Sequence, residues 1–312
     1  MELAQRSNGM TGLLTGFTEL DKVYGGRQRS DLIIKAARPA MGKTAQALCE
    51  AKHMAFNEGK KVVFFSLEMG AEQLMQRLVS VHTGIPLGTI RAGKLDRLQW
   101  DKYNLNADYL TSDNLIIVDD VYSLNGIRTR CKKLKMLGNL DAVYIDYLQL
   151  INHKVGVGRS KEQEVSEISR ALKMLAKSLD VPVVCLSQLS RAVETRGGTH
   201  KPMLSDLRDS GAIEQDADIV SFIYRPEYYQ IHEWDDDGTP CDGQAELIVA
   251  KHRNGSLDNI RLKFESSMAK FSNLDHHGGA GPTVFESKMN AAANDAFAGG
   301  NVSPMDEDYP VF

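Results

Sequence analysis

The 312 residues, 42% hydrophobic and 25% charged, have the composition of a globular protein with a sizeable core, as one large domain or two small ones. No apolar run reaches the ~20 residues a membrane span needs, and the opening MELAQRSNGM lacks an apolar signal core, so a cytoplasmic protein with no membrane partner is predicted. The net charge of -4 speaks against nucleic acid only superficially: from Asp275 onward six acids face Lys288 alone, which leaves that tail at -5 and the rest at +1, and a near-neutral body can still hold a local basic groove.

From about Asp31 to Phe271, short β-branched runs alternate with helical patterns, which predicts an α/β fold with a mainly parallel sheet. The first run, DLIIKAA (31–37), leads into ARPAMGKT. That stretch matches the phosphate-loop pattern GxxxxGK(S/T) except at its first position, where Ala37 replaces glycine. Between a strand and a helix, such a loop turns backbone N–H groups toward phosphates; Lys43 would reach the outer ones and Thr44 could hold Mg²⁺. Alanine is acceptable at position 37 if its dihedrals stay in an ordinary region.

The second run, KVVFFS (61–66), is followed by Glu68 in SLEMG. In an open α/β sheet the strand ends converge on the ligand, so Glu68 is a candidate base for orienting water, or else an early charge of the helix GAEQLMQRL. Two further strands end in carboxylates suited to Mg²⁺: NLIIVDD (114–120) offers Asp119 and Asp120, and DAVYIDY (141–147) offers Asp146. Spacing does not choose between them.

Val165, Ile168, Leu172, Leu175 and Leu179 recur at helical spacing and predict a packing helix over Glu162 to Leu179. The strands VPVVCLS (181–187) and DIVSFIY (218–224) bracket a long polar insertion carrying Arg191, Arg196, Lys201 and Arg208. Loops of this length are usually functional, and the composition suits phosphate contact as well as it suits a solvated loop. AELIVAKHR (245–253) and NIRLKFE (259–265) flank NGSLD and, with KFS, predict antiparallel strands at the sheet edge. Cys49, Cys131, Cys185 and Cys241 form no CxxC pair and the eight histidines show no ligand spacing, so neither a zinc site nor a disulfide framework is predicted. After Leu274 the chain becomes rich in Gly, Asn and Ala, composition that predicts a disordered tail.

ARPAMGKT, SLEM, IDYLQL, LSQLSR, LSDLRDSGAIEQDAD and AKHRNG occur in the order and approximate spacing of DnaB-type replicative DNA helicases, and the chain resembles the motor domain of that family from about Thr11 to Phe271. The resemblance implies a RecA-like P-loop ATPase core with a mainly parallel central sheet and antiparallel edge strands. It also implies an ATP-hydrolysing DNA helicase that forms a hexameric ring, translocates 5′ to 3′ on single-stranded DNA and unwinds duplex DNA at replication forks, with ATP and Mg²⁺ as cofactors. Alanine at the first loop position is common in the family.

Carried over residue by residue, Ala37, Arg38, Pro39, Ala40, Met41, Gly42, Lys43, Thr44 and Ala45 would cradle the nucleotide and Arg77 would add a contact. Thr44 and Asp146, not Asp119, would hold Mg²⁺. Glu68 would be the catalytic base and Gln188 the sensor of the terminal phosphate, while Lys251 and Arg253 would enter the neighbouring subunit's site. Arg208, Asp209 and Gly211 would hold the DNA backbone. The implied division is residues 1–12 as a remnant of a linker segment, 13–274 as the motor domain and 275–312 as a disordered acidic tail. Single-stranded DNA and a homo-hexamer are the expected partners. Primase and a helicase loader are further partners of the family, although its N-terminal domain, which engages primase, is expected to be absent. The tip PMDEDYPVF resembles the acidic, phenylalanine-terminated tip with which bacterial single-stranded DNA-binding proteins recruit partners.

Overall fold

A computed structural model describes residues 10–110, 112–152, 160–207 and 210–274. Among these, nine strands form one sheet: β1 (Leu32–Ala37), β2 (Val62–Ser66), β3 (Leu115–Val118), β4 (Ala142–Asp146), β5 (Val183–Gln188), β6 (Ile219–Tyr224), β7 (Gln244–His252), β8 (Asn259–Glu265) and β9 (Lys270–Asn273). Their order across the sheet is β3, β2, β4, β5, β1, β6, β7, β8, β9. The first six run parallel, and β7, β8 and β9 continue the edge in antiparallel fashion. All six apolar runs become parallel strands, as their continuous hydrophobicity predicts for a sheet covered on both faces.

Alternation along each strand sorts side chains between two cores. Ile33 and Ala37 of β1 pack with Ala45 and Leu48 of the helix Lys43–Lys52 and with Leu74 of the helix Ala71–Thr83. Leu32, Ile34 and Ala36 pack on the opposite face, with Ile127 of the helix Leu124–Met136 and Leu172 of the helix Lys161–Leu179. The latter begins at a capping box between Ser160 and Gln163 and buries the five predicted stripe residues. All four cysteines are free and buried; Cys241, in a polar stretch of sequence, packs against Tyr224 and Trp234.

NLIIVDD yields a shorter strand than its letters suggest. Asp119 lies just past β3, and its Oδ2 accepts the Ala71 backbone N–H at 2.7 Å, capping the helix Ala71–Thr83 from outside. Between that helix and β3 lie three short helices, Leu87–Ala92, Arg97–Leu105 and Ala107–Leu110, which the sequence pattern did not predict. Asp96 and Gln99 form a capping box at the start of the second, a local signal legible in DRLQ. Among the described residues no helix is long and apolar enough to cross a membrane. The predicted tail with its PMDEDYPVF tip, residues 1–9 of the linker segment, and Arg208 and Asp209 lie outside the described residues.

The face of β1 that carries Ile33 and Ala37 also carries Lys35, fully buried. Opposite it, one turn apart on the helix Lys43–Lys52, stand Gln46 and Glu50. Lys35 Nζ bonds both Gln46 Oε1 (2.5 Å) and Glu50 Oε1, Arg27 binds the same Glu50 oxygen at 2.8 Å, and the Tyr144 hydroxyl donates to Glu50 Oε2 at 3.2 Å. One carboxylate thus serves two buried cations. Burial alone would raise the Glu50 carboxyl, but Arg27 and Lys35 hold it down at about 2. Arginine does not give up its proton, so Lys35 is the member that yields: burial, aided by the Arg27 charge, lowers its ammonium from 10.5 to about 7.

Lys35 therefore binds fewer protons in the folded chain than in the unfolded one between about pH 7 and 10.5, and its own contribution to stability should rise with pH across that window. At the acid end, the contribution of Glu50 is present above 4.5 and lost as pH falls toward 2. The difference in urea midpoint between the parent and Lys35→Met should shift in the parent's favour as pH rises from neutral to alkaline; a difference that does not change with pH would refute the shift. Glu50→Gln leaves both cations unpaired and is expected to destabilise by roughly 3–5 kcal/mol.

Candidate functional site

The C-terminal ends of β1 and β5 and the turn that follows β2 meet around a cleft of about 280 Å³. Ala37, Arg38, Pro39, Ala40, Gly42, Lys43, Thr44 and Ala45 line it from the phosphate loop, with Glu68, Arg77 and Gln188 beside them. Met41 departs from the expected set, because its side chain turns inward and is 2% exposed in the core.

Two loop positions show why this sequence folds as it does. Gly42 has φ 93°, and a Cβ there would meet the Phe271 ring at 2.8 Å, so both backbone and space demand glycine. Ala37 needs no such freedom. It closes the β1 ladder opposite Gln188 and is absent from the left-handed positions of the described residues, so the alanine at the motif's first position sits in ordinary strand geometry. Ala40 does adopt φ 65°, a conformation uncommon for a residue with a side chain.

Beneath the loop lies Asp146, last residue of β4 and fully buried. The even-numbered positions of β4 face the helix Lys43–Lys52, which brings Asp146 to the first turn of that helix. Its Oδ2 accepts the Thr44 hydroxyl at 2.5 Å, and its Oδ1 lies 3.3 Å from Lys43 Nζ with no hydrogen-bond partner. A buried carboxylate with an unfilled acceptor beside a threonine hydroxyl is a donor set that fits a hard divalent cation. Lys43 Nζ also sits 4.0 Å above the Tyr147 ring. Asp119, by contrast, is occupied as a helix cap, and Glu68 precedes Gly70, the N-cap of the same helix, and is exposed in the cleft rather than bound to the helix end.

Gln188 ends β5 and is held through its backbone: its N–H donates to Gln149 Oε1 at 3.3 Å, and Gln149 Nε2 donates to the Ser187 hydroxyl at 2.9 Å. Arg77 has a buried Nε without a partner; burial lowers its proton affinity, opposed by the charges of Asp146 and Glu68. Phe264 and Ala269 also line the cleft. Neither carries a motif, and only the antiparallel β8 and β9, folded back against the phosphate-loop helix, bring them there.

Lys251 and Arg253 are not in this cleft. Lys251 Nζ donates to the carbonyls of Glu214 and, at 2.7 Å, Ala217, and Arg253 reaches the Gln215 carbonyl and Asp218 Oδ1 at 3.2 Å. Asp218 precedes β6, whose Ile219 pairs with Ile33 near the start of β1, whereas the phosphate loop follows Ala37. The separation is roughly 13 Å of strand before the loop begins, too far for either side chain to turn back. Gly211 is exposed in the first turn of the helix Ser210–Asp216, with open space where a Cβ would be.

The family described as DnaB-like helicase C terminal domain matches residues 12–273. The replicative DNA helicase DnaB of Geobacillus stearothermophilus is 47% identical over 278 residues, which cover 88% of this chain and 59% of that protein. The replicative DNA helicase DnaC of Bacillus subtilis (strain 168) is 46% identical over 279 residues with the same coverage. The chain thus spans about three-fifths of the length of these relatives. A solved DnaB-like replicative helicase, described with its interactions with primase, superposes with a TM-score of 0.79 at 38% identity, over 88% of this chain and 64% of that one. A solved ATPase domain superposes at 0.80 with 38% identity, over 88% of this chain and 95% of that one.

Proposed function

This chain belongs to the DnaB-like helicase C-terminal domain family, and from that premise we propose that it is the ATP-hydrolysing motor of a cytoplasmic replicative DNA helicase. The observation that carries the proposal is the contact of Lys43 and Thr44, in the wall of the cleft, with the buried Asp146, beside Glu68, Arg77 and Gln188, which also line it. Thr44 and Asp146 would hold Mg²⁺, which when bound neutralises phosphate charge. The loop N–H groups and Lys43 bind the β- and γ-phosphates. Arg77, with its unsatisfied buried Nε, supplies a further cation to the phosphates, Glu68 orients the attacking water, and Gln188 contacts the terminal phosphate from the rigid end of β5.

The site is completed by a second copy of the chain. Arg253 is held at the sheet end opposite its own cleft, and a head-to-tail ring, hexameric in this reading, carries it to a neighbour's γ-phosphate. There it stabilises charge that develops in the transition state. Hydrolysis in turn around the ring would drive 5′ to 3′ movement along single-stranded DNA held by Arg208, Asp209 and Gly211, and so unwind the duplex. Primase and a helicase loader would be partners of the whole helicase at the fork, primase through the family's N-terminal domain rather than through these residues.

ATPase activity per chain, measured across protein concentrations with assembly followed by sedimentation, is expected to rise as rings form and to rise further with single-stranded DNA. Activity per chain that stays constant from monomer to ring and ignores DNA would contradict the proposal.

A further inference from the structure

The segment between β5 and the candidate DNA-contacting residues is folded on itself and tied to the phosphate loop. Leu189 pairs with Leu207, and Ser190 N–H donates to the Asp206 carbonyl at 2.9 Å. Asp206, 2% exposed, accepts the Met203 N–H at 2.8 Å and pairs with Arg196. Two residues before Arg196, on the short helix Ala192–Thr195, stands Glu194.

Both Glu194 oxygens are held by Arg38 of the phosphate loop, Oε1 by Nε at 2.9 Å and Oε2 by NH2 at 2.8 Å. The third guanidinium nitrogen donates to the Leu189 carbonyl at 2.9 Å, and the Leu189 N–H donates to the Ala37 carbonyl at 3.2 Å. Arg38 is 8% exposed and lines the nucleotide cleft. A two-point contact between planar groups fixes orientation as well as distance. A chain of ion pairs, Arg38 to Glu194 and then Arg196 to Asp206, therefore runs from the phosphate loop to the residue before Leu207. The next position is Arg208.

We propose that Glu194 is a positioning residue through which the nucleotide state of the phosphate loop sets the grip of the segment around Leu207 on single-stranded DNA, an inference that rests on the cleft binding ATP and that segment binding DNA. An anion arriving in the cleft competes with Glu194 for the Arg38 charge and so shifts the helix Ala192–Thr195. Because coupling between two binding sites is reciprocal, it is read as the factor by which nucleotide changes DNA affinity. A residue that merely holds the loop in shape would change DNA affinity equally with and without nucleotide.

The test is anisotropy of a labelled oligothymidylate titrated with the assembled parent, Glu194→Gln and Glu194→Asp, each with and without Mg²⁺ and a non-hydrolysable ATP analogue. In the parent the analogue should change DNA affinity on the order of tenfold, and in Glu194→Gln by no more than about twofold. Glu194→Gln should keep parental basal ATPase while its nucleotide-free DNA affinity moves to the value the parent shows with the analogue, because the pair with Arg38 is already open, and Glu194→Asp should recover part of the coupling. A parental factor in Glu194→Gln, or a loss of DNA affinity equal in both nucleotide states, overturns the inference. A parent that binds no DNA in either state overturns the DNA-binding reading beneath it.

Discussion

Asp146→Asn should lower ATP turnover by at least about a hundredfold, since stabilisation by a bound metal is worth several kcal/mol of barrier. The two strand-end carboxylates left open by the sequence are separated by what each touches. Asp119 is committed to the Ala71 N–H at 2.7 Å, so Asp119→Ala should cost about 1 kcal/mol of stability and leave most turnover intact. Asp146 is buried between the Thr44 hydroxyl and Lys43 Nζ, with one oxygen that no hydrogen bond satisfies. Asparagine preserves its shape and removes the charge. Loss of the carboxylate should therefore be felt in hydrolysis and not in the fold, which a thermal melt alongside the ATPase assay would establish. Full activity in Asp146→Asn with loss in Asp119→Ala would reverse the assignment.

Arg253→Ala should lower turnover by roughly 10³ to 10⁵, the range of an arginine finger. Among the described residues the Arg253 side chain bonds the Gln215 carbonyl at the end of the helix Ser210–Asp216 and the buried Asp218, and it is 44% exposed. Truncation should then change stability by less than about 1 kcal/mol. Lys251 differs, because it holds two carbonyls at the end of that helix, and Lys251→Ala is expected to loosen this helix as well as reduce hydrolysis. Arg253→Ala turnover close to the parent's, with rings intact, would remove the finger from the account.

The sheet was legible because its six parallel strands are continuous apolar runs, and a fully covered sheet needs that pattern. The phosphate loop was legible because Gly42, Lys43 and Thr44 are local, and Gly42 is demanded by both φ and the Phe271 ring. Residues that reach a site from distant sequence were not. Phe264 and Ala269 line the cleft only because β8 and β9 fold back on the phosphate-loop helix, and Glu194 meets Arg38 across 156 positions. The choice between Asp146 and Asp119 could not come from spacing, since both end strands; it came from resemblance, and the geometry supplies the reason in the cap that Asp119 forms. Lys35 read as an ordinary strand residue, because nothing local announces that Gln46 and Glu50 wait on the facing helix.

The central claim is that each ATP site is built from two chains, and mixing two inactive variants tests it most directly. Lys43→Ala lacks the lysine proposed to bind phosphate and Arg253→Ala lacks the proposed finger, so neither should hydrolyse ATP alone. In a ring containing both, an interface that takes its phosphate loop from the Arg253→Ala chain and its finger from the Lys43→Ala chain is whole. The account predicts that ATPase activity, negligible at either end of a mixing series, rises at intermediate ratios in rings shown by native mass spectrometry to contain both chains. No recovery at any ratio in such mixed rings would contradict it.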